Sequence, residues 1–144
     1  MYSFDDCIRN NRAKNDCFSE EPIKSQYVTT FALLEYFCKE KRHDVSKYYG
    51  CISTYSNSPF VSLCQRNLKR RISSMSSEKS NDEKHIRAEF CSAFNEFTDC
   101  VHINFDRECG NSVAKLMKEG IKRSIRIILP ECGSYRKSGS WRNL

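Results

Sequence analysis

The sequence has no apolar run approaching the ~18 residues that cross a bilayer; the longest in its C-terminal half is "IIL" at Ile127–Leu129. No membrane span is therefore expected. Five glycines and three prolines leave little material for phosphate-cradling loops, and no G-x-S-x-G, P-loop or GxGxxG pattern occurs. The three histidines, His43, His85 and His102, fall in neither an H-x3-H nor an HExxH spacing, so they build no metal site. His102 beside Cys91 or Cys100 has the makings of a Cys–His nucleophile, but a bridged sulfur cannot attack. The carboxylate pairs Glu20/Glu21 and Asp82/Glu83 stand where helices are expected to begin, and there they complement the helix dipole. No N-x-S/T sequon is usable, because Asn57-Ser58 runs straight into Pro59. These absences point away from an enzyme, a metal site and a cofactor.

Cysteine is what the chain has in excess, with nine in 144 residues. Zinc sites bring thiolates together at C-x2-C to C-x4-C spacing. The closest pairs here, Cys91/Cys100 and Cys100/Cys109, are nine positions apart, too far for a zinc half-site. Disulfides are the better reading, with Cys7, Cys17, Cys38, Cys51, Cys64, Cys91, Cys100, Cys109 and Cys132 as candidates. The odd count leaves one thiol free or joined to another chain. Eight paired thiols allow about 105 connectivities for each choice of odd residue. Disulfides imply an oxidising compartment, so a secreted, extracellular protein is expected. "MYSFDDCIRNN" has no apolar h-region, so for a secreted protein the expectation is a leader either removed from a mature protein or encoded upstream of Met1. The competing reading is a cytosolic protein with reduced cysteines.

Helical periodicity dominates the rest. Tyr27, Phe31, Leu34 and Cys38 predict a helix over about 24–41. Asp44 or Ser46 can cap a short second helix through Tyr48, Tyr49, Ile52 and Tyr55. "SNSP" breaks the chain, and Val61, Cys64, Leu68, Ile72 and Met75 predict a third helix over about 60–75. A polar loop, "SSMSSEKSND", precedes a fourth helix over about 83–102, with Ile86, Phe90, Ala93, Phe94, Phe97 and Val101. "NFDRECGN" reads as a turn, and a fifth helix comes next over about 112–129, stopped by Pro130. The expectation is an all-α, disulfide-stapled bundle of about five helices with short loops. It forms one domain over 1–132, with pseudo-halves of about 1–75 and 81–132, and ends in a flexible basic tail over 133–144 in which Trp141 can dock. The halves echo each other at a shift of 53, which sets Phe37-Cys38 on Phe90-Cys91 and "NLKRRI" on "GIKRSI". Two basic amphipathic helices match this way by chance, and that is the simpler reading.

At about 100° per residue, nine residues turn a helix by roughly 900°, half a turn beyond whole ones, and advance it about 13.5 Å. A disulfide needs Cα atoms within roughly 4.4–6.8 Å. Cys91 and Cys100 therefore cannot bond each other within a helix and must hold different neighbours on opposite faces. Cys100 ties the helix to the core. Cys91 pins an outer segment, either the N-terminal arm (Cys7, Cys17) or Cys132.

The frame "FCSAFNEFTDCV…ECGNSVAKLM…C", preceded by "YFC…YYGCI…LC", resembles the cysteine-rich secreted helical domains that are numerous in arthropods and nematodes. The matching positions are Cys91, Phe94, Phe97, Cys100, Cys109, Gly110 and Cys132, with Cys38, Cys51 and Cys64 upstream. The resemblance implies secretion and disulfides, and no particular activity. Insect odorant-binding proteins are also helical and disulfide-bonded, but their C-x3-C pair is absent here.

The apolar share of 39% and charged share of 29% describe a thin core that benefits from cross-links. The net charge of +6 favours acidic partners. It concentrates on the fifth helix, where Lys115, Lys118, Lys122 and Arg126 share one face and Arg123 flanks it. Val113, Leu116, Met117, Ile121 and Ile128 lie mainly opposite, and Glu119 alone relieves the basic face. These five cations are the candidate anion-binding residues. The expected function is a secreted, non-enzymatic binding or effector module for an extracellular protein or anionic polymer, with nucleic acid a poorer fit. The alternative is a carrier of a small apolar ligand or lipid, with Phe90, Phe94, Phe97 and Phe105 lining its interior.

Overall fold

Every regular element of the computed structural model, which describes residue 20 and residues 23–77 and 83–133, is helical. In chain order these are α1 (Ile23–Leu34), a π-helical segment (Glu35–Glu40), α2 (Arg42–Ser56), α3 (Pro59–Ser77), α4 (Glu83–Cys109), α5 (Asn111–Ile128) and a 3-10 turn (Pro130–Gly133). Among the described residues there is no strand, and no helix is long and apolar enough to cross a membrane. The N-terminal arm with Cys7 and Cys17, and the tail 134–144 with Trp141, lie outside the described residues.

The 27-residue α4 is the axis of the fold. Its Cys100 face receives α3 and its Cys91 face receives α5, while α2 packs against its C-terminal part. The core joins Val61 and Cys64 of α3, Val101 and Phe105 of α4, and Val113 and Ala114 of α5. Tyr48, Ile52 and Tyr55 of α2 close it from the side. Three disulfides fasten the layers: Cys64–Cys100 joins α3 to α4, Cys51–Cys109 joins α2 to α4, and Cys91–Cys132 joins α4 to the 3-10 turn. Their Cα separations of 5.9, 5.9 and 5.1 Å suit unforced bridges. Cys91 and Cys100 thus hold different neighbours on opposed faces, and of the two options for Cys91 the structure has Cys132.

Several expectations need correction. "NFDRECGN" is not a turn: α4 continues to Cys109, because Val101 and Phe105 still have core to bury in. The turn is Gly110 alone, at φ +83°, a backbone state glycine adopts without steric cost. Its N–H donates to the Asp106 carbonyl, and its own carbonyl accepts from Val113 and Ala114, so one residue ends α4 and starts α5. α2 begins at Arg42, earlier than a cap at Asp44 or Ser46 implies, and its N-cap residue Lys41 makes no side-chain cap. The first helix is not one α-helix over 24–41, since its last turn is π, closed by Lys41 N–H to the Tyr36 carbonyl at 2.8 Å. The wider turn changes the rotation of its residues about the axis, so Tyr36 is buried while Cys38, in line with Tyr27 and Phe31 on a straight helix, is exposed and unbonded. The 53-residue echo thus sets an exposed free thiol on a buried bridged one. Ile128, assigned to the core face of α5, is 45% exposed; Ala114, Gly120 and Ile125 bury there with Val113 and Leu116.

A candidate anion-binding face on α5

α5 lies between α4 and the α1–π unit, so its buried arc is wide and its exposed ridge narrow. The α1 side approaches closely because residue 120 is glycine. A Cβ built there would lie 2.5 Å from Cζ of Phe37, whose ring end abuts the helix backbone.

This sandwich sorts the five candidate cations. Lys118 faces α4 and donates to Asp99 at 3.0 Å. Arg123 faces the π segment, where it donates to Glu40 at 2.6 Å and to Glu119 at 3.4 Å. Its guanidinium also sits over the Tyr36 ring, 4.3 Å from the centroid. This neighbourhood shifts the titrations of all three groups. The hydrogen bond from Arg123 holds the Glu40 carboxyl below its ordinary value, and the bond to Glu40 raises Arg123 in turn. Tyr36 is raised chiefly by burial and secondarily by Glu119. Arg126 stays half-exposed, 3.7 Å from Glu119. Lys115 and Lys122 alone of the five have no hydrogen-bond or ion-pair partner among the described residues. The sequence shows five cations on one helix; the fold uses Lys118 and Arg123 as structural clamps and leaves a ridge of Lys115, Lys122 and Arg126.

That ridge borders a cleft of about 420 Å³ between α5 and the start of α2. Lys41, Asp44 and Tyr36 line one wall, and Ser112, Lys115, Lys118, Glu119 and Lys122 the other, above Leu116. Lys41 is the residue that the sequence reading missed. It belongs to another element, and only the turn after the π segment brings it opposite α5. Its ammonium lies 3.8 Å from Asp44, a loose pair that leaves capacity for another anion. The cleft can bind negative charge by ammonium groups from two walls, with a hydroxyl at Ser112.

A second, smaller cavity lies between α3 and α4. The cavity beside Cys64, Leu68, Phe97 and Cys100 is about 120 Å³ and is rimmed by Arg71 and Glu96, whereas ligand pockets usually run to about 300–1,000 Å³. Arg71 there reaches Glu89 at 3.1 Å, Ser92 at 3.4 Å and also Glu96. Among the described residues no group of three His, Cys, Asp or Glu side chains is placed to hold a metal ion. Comparison of the chain with protein-family models, with characterised proteins and with solved structures returns no match.

Proposed function

We propose that the chain is a secreted, non-enzymatic binding module that takes an acidic polymer along the α5 ridge and into the cleft beside it. One observation carries this reading: Lys115 and Lys122, both lining the cleft, have no partner among the described residues, while the flanking cations do. Three disulfides support an oxidising compartment, where sulfated glycans are the natural polyanions. The one aromatic residue lining the cleft, Tyr36, is 2% exposed and offers no face for base stacking, which disfavours single-stranded nucleic acid.

The test is retention on heparin across a salt gradient. Lys115→Glu/Lys122→Glu is expected to elute at clearly lower salt than Lys24→Glu/Lys84→Glu, which loses the same charge at exposed positions outside the cationic faces. Circular dichroism should show equal helix content, since none of the four side chains is buried. Equal elution of the two double variants would reduce the effect to bulk charge and sink the reading.

A further inference from the structure

The outward face of α3 is cationic too. Arg66, Lys69 and Arg70 are exposed, and they fall within about 100° of arc on the helix. The 19 residues of α3 include no acid. The acids that α4 offers nearby, Glu89 and Glu96, are both engaged by Arg71 from the buried side. Arg66, Lys69 and Arg70 have no ion-pair partner among the described residues. Arg71 and the Cys64–Cys100 bridge brace the helix on α4, so the three cations are displayed on a fixed support.

α3 and α5 pack on different faces of α4, those of Cys100 and Cys91, and both reach the core of Val61, Cys64, Val113 and Ala114. The α3 cations point away from α4, whereas the α5 ridge points sideways, between α4 and the α1–π unit. With about 8–10 Å per helix–helix interface and each set of cations on the side of its helix away from the shared core, the two sets of charged ends stand at least roughly 16–20 Å apart. That exceeds the Debye length of about 8 Å at physiological ionic strength, so the two faces attract charge independently. We infer that the α3 face of Arg66, Lys69 and Arg70 is a second polyanion site, and that the chain bridges two sulfated polymer strands across α4. The choice of ligand rests on the function proposed above; the second site does not need the first. Bridging follows from this placement: a polymer lying along one helix cannot also follow the other, which presents its cations beyond the shared core, without a sharp bend. Two modest sites would hold a network of strands more firmly than either alone.

Two measurements on the full chain test this. Native mass spectrometry counts heparin hexasaccharides bound per chain, and light scattering tracks titration with long heparin. The wild type should bind two hexasaccharides and scatter strongly near charge equivalence, with the signal collapsing in excess heparin. Arg66→Gln/Arg70→Gln and Lys115→Gln/Lys122→Gln should each bind one and lose the scattering, and the combination should bind none. If the wild type binds one and only the α5 variant loses it, the α3 site and the bridge fall while the α5 reading stands. If only the α3 variant loses it, the bridge and the α5 reading fall together, and α3 is the sole site. No binding by the wild type overturns both. A single-stranded DNA of equal charge that binds more tightly than the hexasaccharide overturns the choice of sulfated ligand.

Discussion

Gly120 and Phe37 meet where α1 and its π segment dock on α5, and neither side chain does much without the other. Replacing glycine by alanine inside a helix ordinarily gains about 0.8–1.0 kcal/mol. Here the new methyl would stand 2.5 Å from the Phe37 ring, and overpacking of this kind costs about 1–3 kcal/mol. Gly120→Ala should therefore destabilise the wild type yet stabilise a Phe37→Ala background. Chemical denaturation of the four species gives the coupling directly, and additive effects would refute the contact. Arg123 beside them makes the docking pH-dependent. Because Glu40 is held below its ordinary carboxyl value by Arg123, its contribution is full above that value, about 4.3, and is lost as pH falls through the lowered one. Protection of the Glu35–Glu40 amides, corrected for intrinsic exchange, should drop between pH 6 and pH 3. The change should vanish in Glu40→Gln, and an unaltered pH response there would remove Glu40 as its cause.

Among the elements, α4 holds what the others lean on. Each bridge closes a long loop, with sequence separations of 58, 36 and 41. Removing Cys64–Cys100 by paired alanine substitution should cost about 2–5 kcal/mol, measured from the denaturation midpoint and slope. α1 and the π segment, by contrast, are joined to the rest by no disulfide among the described residues and depend on the ion pairs and rings around Arg123. They should exchange hydrogen sooner than α4, and equal protection of the two would contradict this ordering. Much at this scale was legible in the sequence. The helix count, the break at Pro59 and the opposed faces of Cys91 and Cys100 come from spacing alone. The π turn does not, because Glu35–Glu40 carries no proline or glycine to mark it, and with it went the orientation of Tyr36 and Cys38. The long extension of α4 was hidden for the opposite reason. Polar residues such as Asp106 and Arg107 suggest a loop, but Phe105 and Cys109 had partners that only the tertiary structure supplies.

For the molecule as a whole, the fold decides which part of a net charge of +6 is available. Spacing put four cations on one face of α5 with Arg123 at its flank, yet could not show that Asp99, Glu40 and Glu119 would engage three of the five. Nor could it bring Lys41, 74 positions before Lys115, to the opposite wall of a cleft. The remainder is a set of ammonium groups, unpaired among the described residues at Lys115 and Lys122, above a shallow recess, and the functional account stands on that set. The most direct test is a titration of the isotope-labelled, fully oxidised chain with a heparin hexasaccharide, monitored by amide chemical shifts at physiological salt. The account predicts saturable shifts at Lys41, Ser112, Lys115 and Lys122; saturation that leaves those four amides unmoved would contradict it, whatever else in the chain responds.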